Sequence, residues 1–245
     1  MKTAILFRLG CALLGLGALP VIADETATAT STAQVTATRT ESGNSFAVAR
    51  SGSNDRGTTW QSDTTGTVSR TANGSTWTAE TKGSNSKGGS WTADTTGTRT
   101  RNPDGSITID KDITRTNANG KTVTEDIQKT ITPTANGATV TRDATVTTPA
   151  GTATRDTTTQ VTRNADGSKS LTTSGTGTTV KGDAYTVSGQ GTVNKTASGR
   201  TLDRTTTIKG TDGTTMTTKQ NVTTDRDDNK VEKTKKTSRS GHRRR

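Results

Sequence analysis

Turn glycines recur along most of this chain at nearly constant spacing: Gly57, Gly74, Gly89, Gly105, Gly120, Gly137, Gly151, Gly167, Gly182, Gly199 and Gly213, with Asn229 closing the series. Self-similarity with a period of about 16 residues marks a repeat architecture and leaves only about a dozen residues between turns. Several turns are hairpin words: Asn73-Gly74, Asn119-Gly120, Asn136-Gly137, Asp166-Gly167 and Asp212-Gly213. In these pairs Asn or Asp with Gly accepts the positive φ angles that tight β-turns require. The segments between are dense in Thr, whose branched β-carbon favours strands over helices.

Apolar side chains decide how many strands each repeat holds. Along one unbroken strand the residues that share a face share parity. Val123, Ile127 and Ile131 do so, as do Ile107, Ile109 and Ile113, then Val140, Ala144 and Val146, then Tyr185, Val187 and Val193. Leu202 with Ile208 and Met216 with Val222 follow the same rule. The expected fold is therefore all-β, a repetitive antiparallel up-and-down meander of about 11–12 long Thr-rich strands. Two alternatives stand beside it. Gly66, Gly83, Gly97, Gly175 and Gly189, in mid-repeat, would act as bends in a β-solenoid. With 24% hydrophobic and 2% aromatic residues, the chain also overlaps the composition of largely disordered proteins.

The ends read differently from the repeats. Residues 1–23 have the form of a signal peptide: Lys2 and Arg8 precede an apolar run from Leu9 to Leu19, then Pro20 and the small-residue site ending at Ala23. The expected location is secreted or periplasmic, with cell-surface association as a further expectation, and no transmembrane segment is expected in the mature chain. The single cysteine, Cys11, falls inside that leader, so the remaining chain is expected to hold no disulfide. Residues 24–56 are Ala/Thr/Ser-rich with weak alternation, suggesting a linker or edge strands, and the repeats occupy 57–229. A basic segment, 230–245, reads as a disordered tail. It carries eight Lys or Arg residues against Glu232, so most of the net charge of +11 sits there.

A sheet with two or three apolar residues per strand depends on cross-strand Thr pairs, charge pairs and ladder hydrogen bonds. As a free single layer it would be marginal. Closure, a second layer or self-association through exposed sheet edges would each help it.

Catalysis is not expected. The only histidine is His242 in the basic segment, and the pairs Asp110/Asp112 and Glu125/Asp126 lie on thin strands where nothing would raise a carboxyl pKa. No cofactor and no metal site is expected, since the calcium-binding nonapeptide pattern is missing and Asp225, Asp227 and Asp228 are interrupted by Arg226. An outer-membrane barrel is disfavoured because the face bearing Val123, Ile127 and Ile131 also bears Glu125 and Lys129.

Two kinds of binding residue remain. Lys230, Lys233, Lys235, Lys236, Arg239, Arg243, Arg244 and Arg245 would attract polyanions, with anionic polysaccharide, lipid headgroups and extracellular DNA as the partners an exported protein meets. Trp60, Trp77 and Trp91 follow turn glycines in three successive repeats and suit carbohydrate contact, though large apolar residues usually pack instead. The stretches from Gly74 to Ala79 and Thr96 to Thr98 resemble the Thr-x-Thr rows of ice-nucleation and antifreeze solenoids, which implies a water-ordering hydroxyl array if the chain were a solenoid. The expected function is structural or adhesive, with the tail tethering an exported β-protein to anionic surface polymers. A disordered polyanion binder and a Thr-array module for ice or carbohydrate are the alternatives.

Overall fold

The structure is a computed structural model that describes residues 27–39, 43–225 and 230–240. The expected leader, His242 and Arg243 to Arg245 lie outside the described residues. Fourteen strands follow one another without a helix among the described residues. They are β1 (Ala27–Arg39), β2 (Asn44–Asn54), β3 (Thr59–Thr71), β4 (Gly74–Asn85), β5 (Ser90–Arg101), β6 (Ile107–Asn117) and β7 (Thr122–Thr134). The second half is β8 (Gly137–Thr148), β9 (Gly151–Arg163), β10 (Lys169–Thr178), β11 (Ala184–Lys195), β12 (Gly199–Gly210), β13 (Thr215–Asp225) and β14 (Lys230–Ser240). Each pairs antiparallel with its sequence neighbours, and β1 pairs with β14, so the meander closes into a barrel.

One strand per repeat is the arrangement found, and the solenoid and disordered alternatives are not. The strand number exceeds the expected range because the 24–56 segment, expected as a linker or edge, supplies β1 and β2. The segment from 230, expected as a disordered tail, supplies β14. Its residues Lys230 to Ser240 alternate as a strand does, and β13 and β1 offer an unpaired ladder on either side. Charge composition hid this, because Lys is uncommon in strands. Closure also removes the exposed edges that self-association would have needed.

The turns are built locally. Between β2 and β3 the Gly57 amide donates to the Asn54 carbonyl and the Asn54 amide to the Thr58 carbonyl, both at 3.1 Å. The Asn54 Oδ1 meanwhile accepts from the amides of Arg56 and Thr58. Gly57 takes φ of 70°, as a type I turn closed by a left-handed residue demands. The pattern recurs at Asn85/Gly88 and Asn117/Gly120, which is why the period is carried by Asn and Gly together.

Buried residues identify the inner face. Ala33, Val48, Ser62, Thr64, Ala93, Lys111, Ile113, Ile127, Ala144, Ala153, Thr173 and Val187 are all buried, and the strand register places every one on the same side of the wall. In a closed barrel that side is the interior. The outer side is mostly Thr, Ser and Asp. Threonine hydroxyls pair across strands there, Thr67 with Thr78 at 3.1 Å and Thr116 with Thr122 at 3.4 Å, as the sheet was expected to require.

None of the mid-repeat glycines is a bend: Gly175 and Gly189 lie inside unbroken strands against neighbouring backbone and threonine, while Gly66, Gly83 and Gly97 are beds for aromatic rings. Phe46 lies over Gly66, Trp60 over Gly52, Trp77 over Gly97, Trp91 over Gly83 and Tyr185 over Gly177, in each case from the neighbouring strand. The lack of a Cβ lets the ring lie flat on the backbone, so the few large side chains cover ladder that would otherwise be open. A Cβ at Gly83 would overlap the Trp91 indole. Gly83→Val is therefore expected to cost about 2–4 kcal/mol, because the ring must leave its seat. A thermal melt followed by tryptophan fluorescence checks this, with Thr81→Val as the inward control of ordinary size.

Candidate anion-binding lumen

Alternation sorts charge as well as apolarity. The residues that share the inner face with Ile113 and Ile127 include Arg50, Lys111, Arg115, Lys129, Arg142, Arg155, Arg204, Lys233 and Lys235, most of them away from the strand ends. Glu125 is the one acid on that face among the described residues. The outer face holds Asp63, Glu80, Asp94, Asp110, Asp112, Asp126, Asp143, Asp156 and Asp203. The near-neutral body of the sequence is thus a wall with most of its cations inside and, among the described residues, all its carboxylates but Glu125 outside, where Lys82, Lys209 and Lys219 accompany them.

Inner charges reach across the lumen. Burial lowers the pKa of Lys235 on β14, and the charge of Arg155 on β9 lowers it further. Arg204 on β12 is lowered by burial and then by Arg142 on β8. Glu125 bridges two guanidinium groups, with Arg142 at 3.4 Å and Arg115 at 3.6 Å. Elsewhere hydroxyls do the work of acids: the Arg204 Nη2 donates to Thr173 Oγ1 at 2.9 Å. The buried Nε atoms of Arg155 and Arg204 have no hydrogen-bond partner among the described residues. Two buried donors left unsatisfied on cations among cations are costly, and an anion would relieve both the repulsion and the missing hydrogen bonds.

Lys111 shows the cost most clearly. It is 7% exposed, and burial pulls its pKa from 10.5 to about 8. Glu125 opposes the change, while Arg115, Arg142 and Arg50 add to it. Below pH 8 the ammonium is charged in both folded and unfolded chains and the burial penalty is fully present. Between about 8 and 10.5 the unfolded chain binds more protons, so stability rises with pH across that window. Lys129, Lys233 and Lys235 are lowered in the same direction. The melting temperature is expected to rise between pH 8 and pH 10, and Lys111→Met to stabilise the barrel at pH 7 by about 1–3 kcal/mol while flattening part of that rise.

The expected binding residues divide. Lys233, Lys235 and Arg239 face the lumen, Lys236 faces outward and Lys230 begins β14. Trp60, Trp77 and Trp91 are half-buried on the inner face near the starts of their strands, and because the strands alternate in direction Trp77 lies toward the opposite end of the barrel from the other two. Thr96 and Thr98 belong to the outer wall and bond to Asp112 and Asp110. Sequence reasoning placed Lys129 on the apolar face but missed the other lumen cations on β2 to β12, although parity along their strands was the available signal.

The barrel has two concavities of note. One, of about 720 Å³, runs over β1–β5 and is lined mainly by outward threonines with Glu80 and Asp94. The other, of about 320 Å³, opens on the inner face where β9 ends and β10 begins. No helix of the described residues is long and apolar enough to cross a membrane, and the described residues hold no cluster of His, Cys, Asp and Glu suited to a metal ion. Compared with known proteins, the chain matches no family model, no curated protein and no solved structure.

Proposed function

We propose that this chain is an exported, non-catalytic barrel with a structural or adhesive role, which holds anionic groups of surface polymers mainly in its lumen rather than on a free tail. One observation carries the reading: inner-face cations from β2, β6, β7, β8, β9, β12 and β14 converge on the interior against a single carboxylate among the described residues. The outer carboxylates support contact with water rather than lipid, since Asp94, Asp112, Asp126 and Asp143 would each be expensive in hydrocarbon. Export follows from the form of residues 1–23.

Polyphosphate is a suitable probe because it is small, flexible and densely charged. Millimolar tripolyphosphate is expected to raise the melting temperature, by linkage of binding to folding, by about 2.7 kcal/mol of stability at a hundredfold excess over the dissociation constant. Added NaCl weakens the effect. Arg155→Gln with Lys235→Gln should remove most of it. An unchanged melt, or an effect that survives the double substitution intact, counts against the lumen.

A further inference from the structure

We infer a discrete subsite for an acidic saccharide at the mouth of the barrel formed by the β9–β10 and β11–β12 turns, with Arg163, Lys169, Lys195 and Arg200 as its charged residues. The inference rests on the anion-binding reading above and adds a place and a ligand class to it.

The cavity of about 320 Å³ is lined by these four cations together with Gly167 and Val193. They come from four consecutive strands. Lys169 lies directly opposite Arg163, and Lys195 directly opposite Arg200. Like charges placed opposite each other destabilise a sheet. Two such pairs side by side across one cavity make a site that is unfavourable empty and favourable around a group with two or more negative charges. No carboxylate lines it. The nearest turn acid, Asp166, is already used, accepting from the Ser168 amide at 2.9 Å and the Ser168 hydroxyl at 2.6 Å.

Size and lining narrow the ligand. A cavity of this volume suits one or two sugar rings bearing sulfate or carboxylate groups. The Arg forks match planar or tetrahedral oxyanions, the Lys residues act as mobile point charges, and Val193 offers an apolar surface to a ring. No aromatic side chain lines the cavity, so base stacking, which single-stranded nucleic acid would use, has no platform there. A phospholipid would need an apolar surface for its chains beside the headgroup site, and the adjoining outward residues of β10 are Ser170, Thr172, Ser174 and Thr176.

The test is calorimetric titration of the full chain, at about 0.15 M salt where exposed charges are well screened. The probes are a disulfated disaccharide, its unsulfated counterpart, inorganic sulfate and a short single-stranded oligonucleotide. The disulfated sugar is expected to bind at least ~10-fold more tightly than inorganic sulfate or the unsulfated sugar, and more tightly than the oligonucleotide. Lys169→Gln with Arg200→Gln, both at the rim, should lower that affinity by ~30-fold or more while leaving the melting temperature unchanged or higher. Arg155→Gln with Lys235→Gln should change it less than ~3-fold, which separates this site from the lumen. Equal binding of all anions, or affinity insensitive to the rim pair, overturns the subsite whether or not tripolyphosphate binds the lumen.

Discussion

Replacing Glu125 by Gln is expected to lower the melting temperature by about 5–10 °C at pH 7, corresponding to a loss of about 2–3 kcal/mol. Its side chain is 18% exposed, and its carboxylate bridges Arg115 and Arg142, whose side chains are each 30% exposed. A pair fully shut from water would lose more when broken, and the residual exposure of all three side chains sets the lower figure. The effect does not stop at the two arginines. Glu125 also raises the pKa of Lys111, so its removal leaves three inner cations, Arg115, Arg142 and Arg50, acting on that lysine without the opposing charge. Glu125→Asp, which keeps the charge, should recover part of the loss. Glu125→Gln combined with Arg142→Met should be less damaging than the sum of the single changes, because the second substitution removes a charge that the first one strands. Additive effects, or a shift below about 1 °C, would show that the lumen is wet enough to screen its own charges.

Removing residues 230–245 is expected to abolish the monomeric barrel. The deletion takes away β14, which pairs with β13 from Thr215↔Ser240 to Asp225↔Lys230 and with β1 from Ala27↔Thr237 to Gln34↔Lys230. Two long edges are then open, and association of the truncated chain through them follows. Sedimentation against concentration, with far-UV circular dichroism, reads both effects. Thr234→Pro separates closure from charge, since Thr234 sits opposite Thr30 on one side and Asn221 on the other while the substitution keeps every lysine and arginine. Proline in a doubly paired strand loses a ladder bond and should cost about 3 kcal/mol or more. Lys236→Gln, outward-facing, should stay within about 0.5 kcal/mol of the parent. A truncated chain that remains monomeric and melts normally would restore the free-tail reading.

Much of this fold can be read from the chain, and the reasons are local. The Asn and Gly residues at 54–57, 117–120 and their counterparts encode their own turns, and parity along Ile107, Ile109 and Ile113 encodes unbroken strands. Closure is not local. It depends on Ala33 meeting Val231 across the whole length of the sequence, and neither weak alternation at 27–39 nor a run of lysines announces a partner. The site was half legible for a related reason. Lys111 and Lys129 share parity with Ile113 and Ile127, so their inward direction follows from the strands alone. That same parity spoke against a lipid-facing wall, but it gives no depth to the interior. Only a closed wall brings Arg155 and Lys235, five strands apart, close enough to feel each other's charge.

Closure of β1 on β14 is therefore the fact on which the lumen stands, and an engineered disulfide tests it most directly. Thr30 and Thr234 are exposed, outward-facing and directly opposite each other. Opposed residues of antiparallel strands lie within the Cα separation that a disulfide can span, about 4.4–6.8 Å. In a Cys11→Ser background, mild oxidation of the Thr30→Cys, Thr234→Cys chain should give an intrachain disulfide in the monomer, while the distant outward pair Thr30→Cys, Thr130→Cys gives none. Failure of the first pair to crosslink within one chain, or equal crosslinking of both, would mean that the sheet does not close and that the cationic interior does not exist.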